Sequence, residues 1–215
     1  MKMIKVFIVD DHKLFREGLK QILKEESDIL VVGEAGSGHE ALNKILNLDI
    51  DIIIMDISMP GQSGIEVLKQ LHALKCKPSV LVLSMYPEEQ YALRTIKLGA
   101  SGYITKASAP EELIIALRKI ANGGTYISHT IAEKLLFSLK ENPEEQPHNK
   151  LSDREYQIFL SIASGKKITQ IADELCLSVK TVSTYRMRIL EKMNMKTNAD
   201  LIHYALKHNL LLPND

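Results

Sequence analysis

The chain has 215 residues, 45% hydrophobic and 25% charged, an ordinary globular composition with length enough for two domains. No apolar run approaches the roughly 20 residues that span a bilayer, and the start meets Asp10 and Asp11 where a secretory leader would stay apolar, so a cytoplasmic protein is expected. Cys76 and Cys176 lie far apart and the histidines are scattered, which disfavours a sulfur or imidazole metal site; both thiols read as reduced packing residues.

The net charge of zero hides an asymmetry. Residues 1–125 hold 15 Lys and Arg against 16 Asp and Glu, residues 126–149 hold 2 against 4, and residues 150–215 hold 10 against 7. The basic side chains of the last part include Lys180, Arg186, Arg188 and Lys192 within one short stretch, which suggests a polyanionic partner.

In chain order, apolar strands are expected at 5–9, 29–34, 51–55, 79–83 and 102–104. Amphipathic helices fall between and after them, near 13–25, 38–47, 64–74, 88–98 and 110–121. Near-continuous apolar strands separated by helices indicate a parallel sheet covered on both faces. The fold class expected for 1–125 is therefore α/β, a doubly wound five-stranded parallel (βα)5 domain. A helix near 128–140 and a Pro- and Glu-rich stretch at 141–150 make 126–149 a linker helix plus flexible linker. Strand signals then stop. Helices near 152–164, 168–175, 179–193 and 198–208 give an all-α four-helix domain over 150–215, opened by a Ser152–Glu155 capping box.

In open α/β sheets, functional groups gather outside the carboxyl ends of the strands. Here strand 1 ends in Asp10 and Asp11, strand 3 in Asp56 and strand 4 in Ser84, and Lys106 comes just after strand 5. With strand order 2-1-3-4-5, three carboxylates converge on one edge and repel one another unless a cation sits among them. Oxygen-only donors suit a hard ion, Mg²⁺. Ser84 supplies a hydrogen bond and Lys106 a positive charge for a phosphoryl group that a nucleophilic Asp56 accepts. Each of these residues has a plainer reading alone: Asp11 as a helix cap, Asp56 and Ser84 as turn formers, Lys106 as a solvated loop lysine. Their occurrence together at four strand ends favours the chemical reading. His12 reads as a helix-start residue.

In the last domain, residues 166–195 read as a short helix, a turn at which Ser178 caps, and a longer basic helix. Val182, Ile189, Leu190 and Met193 form its inner face, and Lys180, Thr181, Ser183, Thr184, Met187 and Arg188 the opposite one. That is helix-turn-helix patterning for a DNA major groove, though a solvated helix of a bundle has the same pattern.

Residues 3–122 resemble a response-regulator receiver domain, through Val9-Asp10-Asp11, "MDISMPGQSG" around Asp56, "LSM" at Ser84 and "GYITK" at Lys106. Residues 150–210 resemble the LuxR-like helix-turn-helix, so the whole is similar to the NarL/FixJ class of response regulators. The resemblance implies that Asp56 takes a phosphoryl group from a sensor histidine kinase, with Mg²⁺ on Asp11, Asp56 and the backbone carbonyl of Ser58, and Asp10 holding a metal-bound water. Tyr103 matches the switch aromatic that turns inward as Ser84 moves toward the phosphoryl group. Ala107 succeeds Lys106 where many receivers have a cis proline, so no cis peptide is expected.

For DNA, the resemblance places Ser183, Thr184 and Met187 at base edges. It places Lys180, Thr181, Tyr185, Arg188, Lys166, Lys167, Thr169 and Gln170 mainly at phosphates. Tyr185 stands where many members carry histidine. Leu201, Ile202, Ala205 and Leu206 lie in amphipathic spacing on the last helix, which in this family pairs two copies, so Leu201, Ile202 and Ala205 are the dimer candidates. The plainer reading is core of their own domain, a role some of them must serve in any case. The resulting expectation is a non-enzymatic, phosphorylation-switched, double-stranded-DNA-binding regulator that dimerises when phosphorylated, with RNA polymerase as a further candidate partner. Two alternatives stay open at this point: a phosphorylation-independent DNA-binding regulator, and an aspartyl-phosphate phosphohydrolase. Ser58 speaks against the latter, since those enzymes place a second acid there.

Overall fold

The computed structural model describes residues 3–74, 78–138, 146–208 and 210–211. The chain divides into two compact units, Met1–Ala132 and Glu133–Asp215.

The first unit alternates strand and helix throughout: β1 (Ile4–Val9), α1 (Lys13–Lys24), β2 (Ile29–Ala35), α2 (Gly38–Ile45), β3 (Ile52–Met55), α3 (Gly64–Ala73), β4 (Ser79–Ser84), α4 (Glu88–Lys97), β5 (Gly102–Thr105) and α5 (Ala109–Ala121). The five strands are all parallel in the order β2-β1-β3-β4-β5. Alternate residues of each strand serve opposite faces. Val6, Ile8, Ile52, Ile54, Leu81, Leu83 and Ile104 pack with Leu19 and Leu23 of α1 and Leu113, Leu117 and Ile120 of α5. Phe7, Val9, Ile53, Met55, Val80 and Val82 are just as buried on the other face, where α2, α3 and α4 lie. Each such side chain contributes about 1.5–3 kcal/mol, which is why the strands read as unbroken apolar runs.

The sheet does not end at β5. Tyr126 bridges to Gly102, its carbonyl accepting from the Tyr103 N–H at 3.0 Å while its own N–H donates to the Ser101 carbonyl at 2.9 Å. Residue 126 thus lies in the sheet rather than in a linker. Helix α6 (His129–Ser138) comes next, and the division between the two units falls inside it. Its start is fastened to the first unit by Ser128 Oγ, which donates to Glu88 of α4 at 2.6 Å, and by the fully buried Ile131.

The second unit holds α7 (Asp153–Ala163), α8 (Ile168–Glu174), α9 (Val179–Lys192) and α10 (Asn198–Lys207). The capping box at the start of α7 is complete: Ser152 Oγ accepts from the Glu155 N–H, and Glu155 Oε2 accepts from the Ser152 N–H at 2.7 Å. Part of the expected flexible linker, 141–145, lies outside the described residues. The remainder is structured: Pro147–Lys150 make a 3₁₀ turn whose buried His148 pairs through Nδ1 with the Tyr204 hydroxyl of α10 at 2.7 Å. The ring of His148, rather than an apolar side chain, anchors that turn, and apolar periodicity does not register it.

Among the described residues, no helix is long and apolar enough to cross a membrane. Cys76 lies outside the described residues. Cys176 is an exposed free thiol in the turn between α8 and α9, at φ +51°, and does not pack as expected.

Candidate functional site

Strand register builds the pocket. Val9 of β1 sits opposite Met55 of β3, and the Asp56 N–H donates to the Val9 carbonyl at 2.8 Å, so Asp10 and Asp56 leave adjacent strands side by side. On the far side, the Lys106 N–H donates to the Ser84 carbonyl at 2.7 Å, which sets that lysine at the end of β4. Asp10 and Asp56 are each 1% exposed, Ser84 0% and Lys106 8%. Four of the five strand-end residues singled out from the sequence are therefore together under cover, and the fifth, Asp11, is partly exposed beside them.

Lys106 Nζ lies 2.6 Å from Asp56 Oδ2 and 2.5 Å from Asp10 Oδ2. The first contact is a hydrogen bond; the second is an ion pair off the hydrogen-bond direction, and Asp10 Oδ2 has no hydrogen-bond partner among the described residues. Asp11 Oδ1 is a buried orphan of the same kind. Asp56 Oδ1 accepts from the Ser58 N–H at 2.9 Å, which folds the segment after β3 back beside the acids.

Burial pushes the Asp56 carboxyl above its ordinary range, against the pull of Lys106 and with Asp10 adding to the push. For Lys106, burial works downward, but the Asp56 charge and the contacts to both carboxylates win, and the ammonium is held above its ordinary value. One ammonium faces three carboxylates. Donor oxygens of Asp10, Asp11 and Asp56, with a nitrogen of His12, come within 4.8 Å of one another. Orphaned buried carboxylate oxygens in such a cluster fit a hard divalent cation such as Mg²⁺.

Ser84 Oγ accepts from the Tyr86 N–H at 3.1 Å. Tyr103 is turned inward, 3% exposed, with its hydroxyl donating to the Tyr86 carbonyl at 2.7 Å. Burial pushes that phenol far above its ordinary value, opposed by a hydrogen bond with Ser84, so it stays protonated. Ser84 and Tyr103 thus meet around one residue, Tyr86.

Three contributors to the pocket were not singled out from the sequence as part of it. His12 stands at the start of α1, as expected, yet it makes no side-chain cap; its Nδ1 lies 3.0 Å from Asp11 Oδ1 and 3.2 Å from Asp10 Oδ1. Phe15 puts its ring under the Lys106 ammonium, 4.6 Å from centroid to Nζ. Gly64 caps the loop so tightly that a Cβ there would stand 2.0 Å from the Asp56 carbonyl oxygen. Adjacency to Asp10 and Asp11 was a signal for His12, and membership of the stretch after Asp56 was one for Gly64; Phe15 is a product of tertiary packing. Beside Lys106 opens a cleft of about 480 Å³ with mainly apolar walls, among them Leu14, Phe15, Met85 and Pro110.

In the second unit, Ser178 caps α9, accepting from the Thr181 N–H at 3.0 Å, and Val182, Ile189, Leu190 and Met193 are its buried face. Lys180, Ser183, Met187 and Arg188 are exposed, and Thr181, Thr184 and Tyr185 partly so. Lys166, Lys167, Thr169 and Gln170 are exposed around the start of α8. The basic stretch is thinner than its composition suggests. Arg186 Nε donates to Asn198 Oδ1 at 2.7 Å, and Lys192 Nζ to Glu155 at 2.6 Å, so these two tie α9 to α10 and α7.

The assignment of Leu201 and Ala205 to a dimer face is corrected. Both are 0% exposed and pack inside their own unit, where α10 lies on α7, so neither is free to meet a second copy. Ile202 is partly exposed, and Leu206, one turn on, is 58% exposed.

Residues 6–118 match the response regulator receiver domain, and residues 149–205 match the bacterial regulatory proteins of the luxR family. Response regulator UvrY of Escherichia coli is 36% identical over 209 residues, covering 97% of this chain and 96% of its own. Response regulator GacA of Pseudomonas aeruginosa is 39% identical over 210 residues, covering 97% and 98%. Among solved structures, the RcsB response regulator of Salmonella typhimurium aligns at a TM-score of 0.67 and 26% identity, over 99% of this chain and 100% of that one. An RcsB–DNA complex aligns at 0.59 and 26%, over 95% and 98%. With the pocket at its strand ends and a helix-turn-helix in its second unit, the chain belongs to the NarL/FixJ-class response regulators, phosphorylation-dependent DNA-binding regulators of transcription.

Proposed function

We propose that Asp56 is the phosphoacceptor and that its modification by a sensor histidine kinase favours a dimer of this chain on double-stranded DNA. The single observation that carries this is the buried Asp56 carboxylate, pinned by Lys106 and the Ser58 N–H yet still under-compensated. An oxygen of Asp56 forms the new bond to phosphorus as the phosphorus–nitrogen bond of the donor histidine breaks. Lys106, already within reach of Asp56, neutralises charge on the transferring group. Ser84 takes one hydrogen bond from Tyr86 and keeps its proton to donate, to Tyr103 beforehand and to a phosphoryl oxygen afterwards. Asp10, Asp11, Asp56 and the Ser58 carbonyl would hold Mg²⁺, which supplies charge stabilisation for the transferred group. The apolar cleft beside Lys106 offers a protein donor a surface next to the pocket.

Tyr103 links the pocket to the rest of the chain. Its backbone N–H is bonded to Tyr126, two residues before Ser128, which bonds Glu88 of α4. A repartnering of Ser84 therefore reaches the start of α6 through continuous contacts. On DNA, Ser183, Thr184 and Met187 face base edges, and Lys180, Thr181, Tyr185, Arg188, Lys166, Lys167, Thr169 and Gln170 approach phosphates. The pairing surface of α10 is Ile202 with Leu206.

The test is phosphoryl labelling and then DNA pull-down. Asp56→Asn should take up no label and lose selective enrichment of DNA sites, while beryllofluoride with Mg²⁺ should confer that enrichment on the unmodified chain. Label retained by Asp56→Asn would remove Asp56 from the acceptor role.

A further inference from the structure

The outer stripe of α9 is chemically one-sided. Lys180, Ser183, Thr184, Met187 and Arg188 recur at helical spacing along it. Its two hydroxyls have already used their protons: Ser183 Oγ donates to the Val179 carbonyl at 2.9 Å, and Thr184 Oγ1 to the Lys180 carbonyl at 3.0 Å. A hydroxyl bonded back to its own helix keeps only lone pairs for a ligand. Met187, 64% exposed, adds a polarizable apolar surface with no donor. Arg186, which would bring donors near the centre, is held by Asn198. Two exposed cations, Lys180 and Arg188, stand at the two ends of the stripe.

Major-groove edges differ in what they ask for. Guanine presents two acceptors, N7 and O6, and is read by donors such as arginine or lysine. An adenine–thymine pair presents the adenine N6 amino group and the thymine C5 methyl. Acceptor oxygens can also serve the cytosine N4 amino group of a guanine–cytosine pair, but they leave the guanine N7 and O6 unsatisfied. Only the thymine methyl gives the thioether a partner, so the two features together match the adenine–thymine edge. We infer that Ser183, Thr184 and Met187 form a patch selecting adenine–thymine pairs at the centre of each half-site. Hydroxyl oxygens accept from adenine N6, and Met187 packs on the thymine methyl. Lys180 and Arg188 serve phosphates or outlying bases. The inference rests on the proposed role of α9 as the base-reading helix.

Sites are selected from a random duplex library with the full chain in beryllofluoride and Mg²⁺. Binding is then measured on the selected duplex with central thymines replaced singly by uracil, which removes only the methyl group. Adenine–thymine pairs should occupy the central positions. One such uracil should weaken binding about fourfold, the worth of one buried methyl-sized group. Met187→Ala, at an exposed position, should bind thymine and uracil duplexes alike. Ser183→Ala should relax the choice at a neighbouring pair, whereas Lys180→Ala should lower affinity for all duplexes together. Guanine at the central positions, or a uracil penalty that survives in Met187→Ala, overturns the patch while leaving α9 as the reading helix. Failure to bind any duplex overturns both.

Discussion

Asp56 and Glu155 are both carboxylates within 3% of full burial, one in each unit, and their surroundings treat them oppositely. Glu155 accepts from the Ser152 backbone N–H and from Lys192, and these bonds outweigh burial and hold its carboxyl below the ordinary range. Asp56 also has an ammonium and a backbone N–H, yet burial outweighs them and its carboxyl is pushed up, with the charge of Asp10, which shares Lys106, adding to the push. The structural carboxylate of Glu155 has an ammonium of its own and a backbone N–H on one oxygen. The Asp56 carboxylate is left short of positive charge, a deficit that a bound cation would make good.

The contrast is broken most severely at Gly64. Gly64→Ala would drive a methyl group into the Asp56 carbonyl, so the loop after β3 must shift. Phosphoryl uptake should be lost and the receiver destabilised by about 3 kcal/mol, the upper end of overpacking costs, as read by labelling and urea unfolding. Glu155→Ala removes the side-chain half of the capping box and the Lys192 pair, while Ser152 Oγ still accepts from the backbone N–H of residue 155. The cost should be about 2 kcal/mol in the second unit, since Lys192 is 42% exposed and recovers part of its loss in water.

The Glu155 contribution has a defined pH window. Its carboxyl lies lower in the folded state, so the stabilisation is present above the unfolded value of about 4.3 and disappears as pH falls through the folded one. Glu155→Gln should flatten that acid limb in unfolding measurements.

Asp56→Asn should act in the opposite direction, stabilising the Mg²⁺-free receiver by about 1 kcal/mol at neutral pH because it relieves like-charge crowding. A loss of stability would show that Lys106 already satisfies the site. The smallest effect is expected at Cys176, outside both carboxylate sites. Its φ of +51° favours glycine, and Cys176→Gly should raise the melting temperature slightly, with a gain of about 0.5 kcal/mol.

Strands and helices were legible because each buried face leaves a period in the sequence: β3 is apolar throughout and β1 is so beyond Lys5, and α9 alternates inner Val182 and Ile189 with outer Ser183 and Met187. Asp10, Asp11, Asp56, Ser84 and Lys106 were legible because a parallel sheet brings the carboxyl ends of all its strands to one edge. Partner choice left no such trace. Arg186 and Lys192 look like DNA-facing cations until Asn198 and Glu155 are seen beside them. Leu201 and Ala205 carry the same periodicity whether they meet α7 or a second copy, and only the docking of α10 separates the cases. Phe15 joins the pocket through a contact far apart in the chain, which no local pattern records, whereas Gly64 closes the stretch around Asp56 and its close approach shows only once the loop is folded.

Tyr126 has a bearing on how this receiver is handled in isolation. An outermost strand is a template for unwanted β-pairing, and proteins blunt such edges deliberately. Here Tyr126 occupies the Tyr103 N–H and the Ser101 carbonyl at the β5 edge. A fragment ending at residue 125, where composition alone would cut, bares those groups and should self-associate or aggregate on expression. One carried through Ile131 keeps both the edge cover and the buried side chain that seats it, and should remain dispersed.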